Sequence, residues 1–429
     1  MKALPIALAL ALAASSCPAS EGPPRALSLE EAKQEALRNH PAFAAAQLKE
    51  LLAKEQLKET RAAFYPAAGG YVDAVDTGEY NTRILAGGIN NPSVFDRVGE
   101  GVAVSQLITD FGRTSNLSRG AKSQERAASE GTEASREQIL VNVVANYLAT
   151  LQAQEVLRVA EQTLENRTLT ARQVNALEQN KLKSGLDVSL ADVAEEQAEL
   201  LVQDAQGGVD GAMASLSAAL GERGGESIIL TDNPAPAVIP GSPDALVATA
   251  ISERPDLRDL RYQVEAAHSA ARAEKDASYP TLAAVGLVGN SFTHDERLPD
   301  KYAVAGVQFS VPFFQGGAYE ARQHEAEIRE RVLSENLREA EDNAARDVRL
   351  AFVAAQTAKK RLATTKKLLA SSNQALSLAE ARYKAGSSSI IELSDSQLAE
   401  ASAAIAYANA EYDTRIQAAV LEYQTGSIR

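Results

Sequence analysis

Sulfur and indole are nearly missing from this chain, which has one Cys, two Met and no Trp in 429 residues. One Cys makes neither a disulfide framework nor a cysteine-cluster metal centre. Nine Phe and twelve Tyr leave little with which to fill a wide globular core. Positive charge is short as well: 43 Lys and Arg stand against 57 Asp and Glu. The net charge of −14 repels phosphate and disfavours a nucleic-acid partner. Beyond the N-terminal stretch, no segment reaches the ~18 uninterrupted apolar residues of a candidate membrane helix. Catalytic signals are missing too. There is no Gly-rich phosphate loop with Lys and no G-x-S-x-G elbow. His40, His268, His294 and His324 have no second His at ligand spacing. The reading is a chain without cofactor or metal, and not an enzyme.

What is abundant is Ala, which carries much of the 45% hydrophobic share (Ala149, Ala153 and Ala160 are examples). Ala is small and strongly helix-forming, so this composition points to long helices lying close together. The N-terminus reads as an export signal over residues 1–19. Lys2 gives the positive charge, Ala3 to Ala14 the apolar run, and Ser15-Ser16-Cys17 the small residues after it. Cys17 has two readings: cleavage before it with a lipid attached, or ordinary cleavage near Ala19 that discards it. An exported chain without a spanning helix enters a membrane only as a β-barrel, because backbone groups in hydrocarbon need internal partners.

The chain also repeats itself. Ala36 to Phe43 resembles Ala250 to Leu257, and Phe64-Tyr65-Pro66 resembles Ser278-Tyr279-Pro280, both at an offset of 214 (36 to 250, 66 to 280). Further on, Tyr147 pairs with Phe352 and Leu216 with Leu421, at an offset of 205 (147 to 352, 216 to 421). The first repeat thus spans 27–221 and the second 244–426, joined by a Pro-bearing linker over 222–243.

Each repeat reads helix, strand, strand, long helix, turn, helix. Ser28-Leu29-Glu30-Glu31 is a capping-box arrangement, and the helix it starts is interrupted at His40-Pro41. Strands are expected over Gly69–Thr77, Val98–Phe111, Thr281–Phe292 and Tyr302–Phe313, each near the ~9–11 residues of a tilted spanning strand. The polar stretches Asn81–Arg97 and Thr293–Lys301 connect them. Alternation alone does not choose between a membrane sheet and a soluble two-layer sheet. From Arg113 to Leu182 there is no Pro, and Ile139, Val143, Tyr147 and Leu151 form a stripe beside Leu140, Val144 and Leu148. Two adjacent stripes fit a helix flanked on both sides. Ala318 to Ala385 is its counterpart.

In order and duplication, these features resemble the TolC-like outer-membrane efflux proteins of Gram-negative bacteria. The resemblance is carried by Leu27 to Pro41, by both Tyr-Pro strand entries, by Phe309 to Gly317 and by Tyr383 to Leu393. It implies a mainly α fold with a membrane β-barrel. Long coiled-coil helices would form a trimeric α-barrel, and four strands per protomer would enter a shared 12-stranded barrel. It also implies partners: a homotrimer, a periplasmic adaptor, an inner-membrane RND or ABC-type pump, and outer-membrane lipid. Adaptor docking falls at two hairpin tips, Lys183-Ser184-Gly185-Leu186-Asp187 and Lys384-Ala385-Gly386-Ser387, where Gly is expected to supply the conformation of a helix end. Gly185 and Gly386 are 201 apart rather than 205, which leaves the first tip out of step (185 to 386). Glu392 and Asp395 match the family's acidic positions at the periplasmic entrance. Repeated by threefold symmetry, they would concentrate cations and raise their own pKa values by mutual repulsion. The function implied is a passive exit duct. The alternative is an exported coiled-coil structural or adhesive protein without a channel.

Overall fold

The computed structural model describes residues 25–75, 97–222, 228–231, 242–293 and 300–428. The export signal with Cys17, most of the first connecting stretch, His294 and much of the 222–243 linker lie outside the described residues. In chain order the elements are β1 (Arg25–Leu27), α1 (Leu29–Asn39), α2 (Pro41–Ala62), β2 (Ala67–Val75), β3 (Arg97–Thr109), α3 (Arg113–Gln179) and α4 (Gly185–Leu220). Then follow β4 (Ile228–Leu230), α5 (Pro243–Glu253), α6 (Pro255–Asp276), β5 (Thr281–Thr293), β6 (Lys301–Ser310), α7 (Ala318–Lys384) and α8 (Ile390–Gln424). The expected helix, strand, strand, long helix, helix order recurs twice.

The helix ends have local causes. Ser28 closes the expected capping box with Glu31: the Glu31 amide donates to Ser28 Oγ at 3.3 Å, and the Ser28 amide to Glu31 Oε2 at 2.9 Å. Pro41 and Pro255 each begin a helix, where a missing N–H costs nothing. The repeat also reuses one device at the far ends. Gly221 (φ +79°) caps α4 against Asn39 and His40, where an added Cβ would come within 2.9 Å of backbone. Gly426 (φ +68°) stands against Arg254 in the same way, at 3.1 Å. Both positions combine a left-handed backbone with a close approach, which only Gly satisfies.

The described chain divides into two compact units. Among the described residues, the first holds 25–40, 142–222, 228–231 and 358–416; the second holds 41–75, 97–141, 242–293, 300–357 and 417–428. In the first, β1 and β4 form a parallel pair, Arg25 opposite Ile228. Neither strand was expected, and three residues are too few to leave a periodic signal. The fully buried Tyr147 donates its hydroxyl to Leu27 O at 3.1 Å, so the long helix is tied to this pair.

In the second unit, β2-β3-β5-β6 form one antiparallel sheet, open at β2 and β6 among the described residues. The expected β6 ran to Phe313, but the ladder stops at Ser310. Pro312 has no N–H to continue it. One row crosses all four strands in register: Tyr71, Gly101, Gly289 and Tyr302. The two hydroxyls meet at 2.6 Å, and a Cβ on either glycine would collide with the ring lying over it.

Candidate functional site

The two hairpin tips belong to the first unit and come together there. At the first tip the chain leaves α3 with Lys181 in the left-handed region (φ +59°), its amide donating to Glu178 O at 2.7 Å. Ser184 then caps α4. It accepts the Asp187 amide on Oγ at 3.3 Å, while Asp187 Oδ2 accepts the Ser184 amide at 2.9 Å and its hydroxyl at 2.8 Å. These hydrogen bonds hold the Asp187 carboxyl below the ordinary Asp value, the backbone bond contributing most. At the second tip Gly386 (φ +70°) follows α7, its amide donating to Tyr383 O at 3.0 Å and that of Ser387 to Arg382 O at 2.9 Å. Ser389 Oγ then accepts the Glu392 amide at 3.3 Å.

These facts correct the role expected of Gly185. It is the first residue of α4 and does not supply the turn; Lys181 does. Lys181 and Gly386 are 205 apart (181 to 386), as are the caps Ser184 and Ser389 (184 to 389) and the acids Asp187 and Glu392 (187 to 392). The first tip therefore keeps step with the second, and only the glycines are out of step.

Behind the tips lies a small core of Ala171, Val174, Ala191, Ala379, Tyr383, Ile390 and Leu393. The Lys183 ammonium sits over the Tyr383 ring at 4.4 Å, joining the tips. Burial, then the charge of Asp187, pushes the Tyr383 phenol up. Leu182 and Leu186 remain exposed beside it. Glu392 is not a free carboxylate: Arg382 Nη1 donates to it at 2.7 Å. Asp395 is exposed, and its neighbour Ser394 is gripped by Arg167 of α3, at 2.7 Å to Oγ and 3.2 Å to O. Arg167 is only 6% exposed; burial pushes its pKa down, and the charge of Asp395 opposes that. Neither arginine was singled out in the sequence, where each looks like one more helix charge. Among the described residues, no group of three or more His, Cys, Asp or Glu could hold a metal.

The sheet carries a second set of features. Val102 and Val288 are register partners, and with Val72, Val104, Val307 and Phe309 they make one exposed face mostly apolar, interrupted by Glu100 opposite Val72. At one end of the sheet all four strands meet helices or turns. Exposed aromatics gather there: Tyr65 before β2, Phe111 after β3, Tyr279 before β5, and Phe313 and Phe314 after β6, at 91% and 85% exposure.

The described chain thus combines a duplicated order of elements, one four-stranded sheet with two open edges and two 67-residue helices. The sequence model for outer membrane efflux proteins matches residues 32–222 and 246–427, and the chain belongs to that family. It is 25% identical over 378 residues to the "Probable outer membrane lipoprotein SilC" of Salmonella typhimurium, covering 85% of this chain and 78% of that one. It is 23% identical to the "Cation efflux system protein CusC" of Escherichia coli K12, over the same shares of the two chains. A crystal structure of CusC has the same fold, with a TM-score of 0.80 at 21% identity over 93% of this chain and 92% of that one. The protein is thus an outer-membrane efflux channel component with a large periplasmic portion, and not an enzyme. A channel-less coiled coil does not fit that membership.

Proposed function

We propose that three copies assemble into a passive exit duct that passes on what an inner-membrane pump and a periplasmic adaptor deliver. The observation that carries this reading is the sheet open at β2 and β6. Four strands cannot close on themselves, and open edges in hydrocarbon leave backbone groups unpaired. Twelve strands from three copies would remove every edge. The Val-rich face would then meet lipid, and the aromatics at the strand ends would mark the periplasmic boundary of the bilayer.

The tips, Lys183 to Asp187 and Lys384 to Ser387, are the proposed adaptor-docking points, with Leu182 and Leu186 as apolar anchors. Glu392 and Asp395 form the entrance ring, which favours cations. In the conformation described, Arg382 offsets Glu392, so Asp395 supplies most of the field. Membership in the family does not select between an RND and an ABC-type pump. The cation-efflux relatives make a metal-ion cargo the first to test. The lipoprotein relative SilC favours cleavage before Cys17 with lipid attached. Mass spectrometry of the mature N-terminus tests that: a free α-amino group on a residue beyond 17 sinks it.

The duct is tested in planar bilayers. The native chain is expected to conduct with cation preference, and Glu392→Ala with Asp395→Ala to abolish the preference while leaving the pore. Unchanged selectivity and unchanged divalent block in that variant would reject the ring.

A further inference from the structure

Two of the long helices in the first unit have bare flanks. Within that unit, α3 and α8 are largely buried or half-buried, while α4 and α7 are exposed along much of their length. The contacts explain this. On one side α3 touches α4, through Thr150 Oγ1 to Ala212 O at 3.3 Å and Thr168 Oγ1 to Glu195 Oε1 at 2.8 Å. On its other side it touches α8, through Gln152 Nε2 to Asn409 Oδ1 at 2.7 Å and through Arg167 to Ser394. Beyond, α8 shares a cleft with α7, lined by Gln152, Arg361, Thr365, Asn409 and Asp413 among others. The order along this shaft is α4, α3, α8, α7, which leaves α4 and α7 as its lateral edges.

The edges are oppositely charged. From Gly185 to Leu220 there are seven Asp and Glu and no Lys or Arg. On α7, Lys359, Lys360, Arg361, Lys366 and Lys367 crowd into nine residues, all exposed. Among the described residues none of these five makes an ion pair, in a chain with a net charge of −14. The heights agree as well. Gln152 borders the cleft with Arg361, and Thr150, two residues earlier, reaches Ala212. The basic run therefore stands level with α4 around Asp210, with Asp204 six residues, or ~9 Å, nearer the tip. At that height α4 carries Gly207, Gly208 and Gly211, where an added Cβ would meet nothing within 4 Å. Glycine weakens a helix interior, and no described residue comes close enough to these three to need it there. A second helix approaching closely would.

We infer that the α7 basic run of one copy docks on the acidic, glycine-bearing flank of α4 in the next. In a single chain α3 and α8 stand between these edges, so the pairing occurs only across copies. A head-to-tail contact of this kind closes a ring when repeated. Charge selects its orientation, because α4 against α4 and α7 against α7 both repel. The inference rests on the trimeric reading and adds which surfaces meet.

The test uses the full chain in detergent. Copies bearing Asp210→Cys are co-expressed with copies bearing Lys360→Cys, exposed and outside the α8 cleft, and treated with a short bis-maleimide. A covalent dimer is expected in the mixture and in neither variant alone. Separately, Lys366→Glu with Lys367→Glu should raise the concentration at which the oligomer dissociates at least tenfold. Adding Asp204→Lys and Asp210→Lys to that chain should restore it. A trimer by mass that neither cross-links in the mixture nor responds to charge reversal overturns the clasp and leaves the trimer standing. Cross-linking of Asp210→Cys alone also overturns it, as does a reversal that removes only adaptor capture. A monomer throughout overturns the clasp and the trimeric reading together.

Discussion

The two hairpin tips have the same backbone and different electrostatics. Each begins its returning helix with a Ser cap and an acid three residues on, Ser184 with Asp187 and Ser389 with Glu392. Asp187 turns back on its own cap, while Glu392 reaches across to Arg382. Side-chain length is not the cause, since Glu31 closes a box on Ser28 as a Glu. The cause is the opposite helix. The repeat counterpart of Arg382 is Leu177 (177 to 382, offset 205), so the first tip has no cation there to compete with the cap. One carboxylate is used up by its own turn; the other is shared with a neighbour that can release it.

This contrast can be broken in several ways. The largest effect should come from Arg167→Ala, which removes the buried guanidinium holding Ser394 and leaves the start of α8 without that tether. Amide exchange there should rise by the equivalent of about 2–3 kcal/mol, with little change at Ser184. Next, Gly386→Ala should loosen the second tip by about 1 kcal/mol, because Ala is strained at φ +70°. Lys181→Gly should tighten the first by ~0.4–1 kcal/mol for the same reason. Equal responses at the two tips would contradict the paired left-handed residues.

Acid should act on the first tip. The Asp187 carboxyl is held below its ordinary value of 3.8, so its capping contribution is present above that pH. It is lost as pH falls through the lower folded value. Exchange at the Ser184 and Asp187 amides should quicken there in the native chain and lose this response in Asp187→Asn. The smallest stability effect, under ~0.5 kcal/mol, belongs to Arg382→Leu, since its ion pair is exposed. That variant copies the first tip onto the second. Glu392 should then close a box on Ser389, visible as a slowed Ser389 amide.

The sequence disclosed what periodicity and duplication can carry. The helix breaks at Pro41 and Pro255, both long helices and all four sheet strands were legible, with strand ends off by two or three residues at β2, β3 and β6. The β1–β4 pair was not, because three residues carry no period. The turn at Lys181 was hidden because a non-Gly residue took the left-handed position while Gly185 stood nearby. Arg167 and Arg382 were invisible for a different reason. Their partners, Ser394 and Glu392, come from the far side of a helix hairpin or from the other repeat, and a charge on a charged helix gives no hint of that.

The row Tyr71, Gly101, Gly289, Tyr302 has a bearing on the history of the chain. At the repeat offsets the counterpart of Tyr71 is Val285 (71 to 285, offset 214) and that of Tyr302 is Arg97 (97 to 302, offset 205). Neither half carries a copy of the other's tyrosine, and the two meet only across the seam between β3 and β5. The duplication supplied two similar halves; this contact is something they hold jointly. A chain rebuilt from two identical first halves, or two identical second halves, would keep the strands and lose the joint.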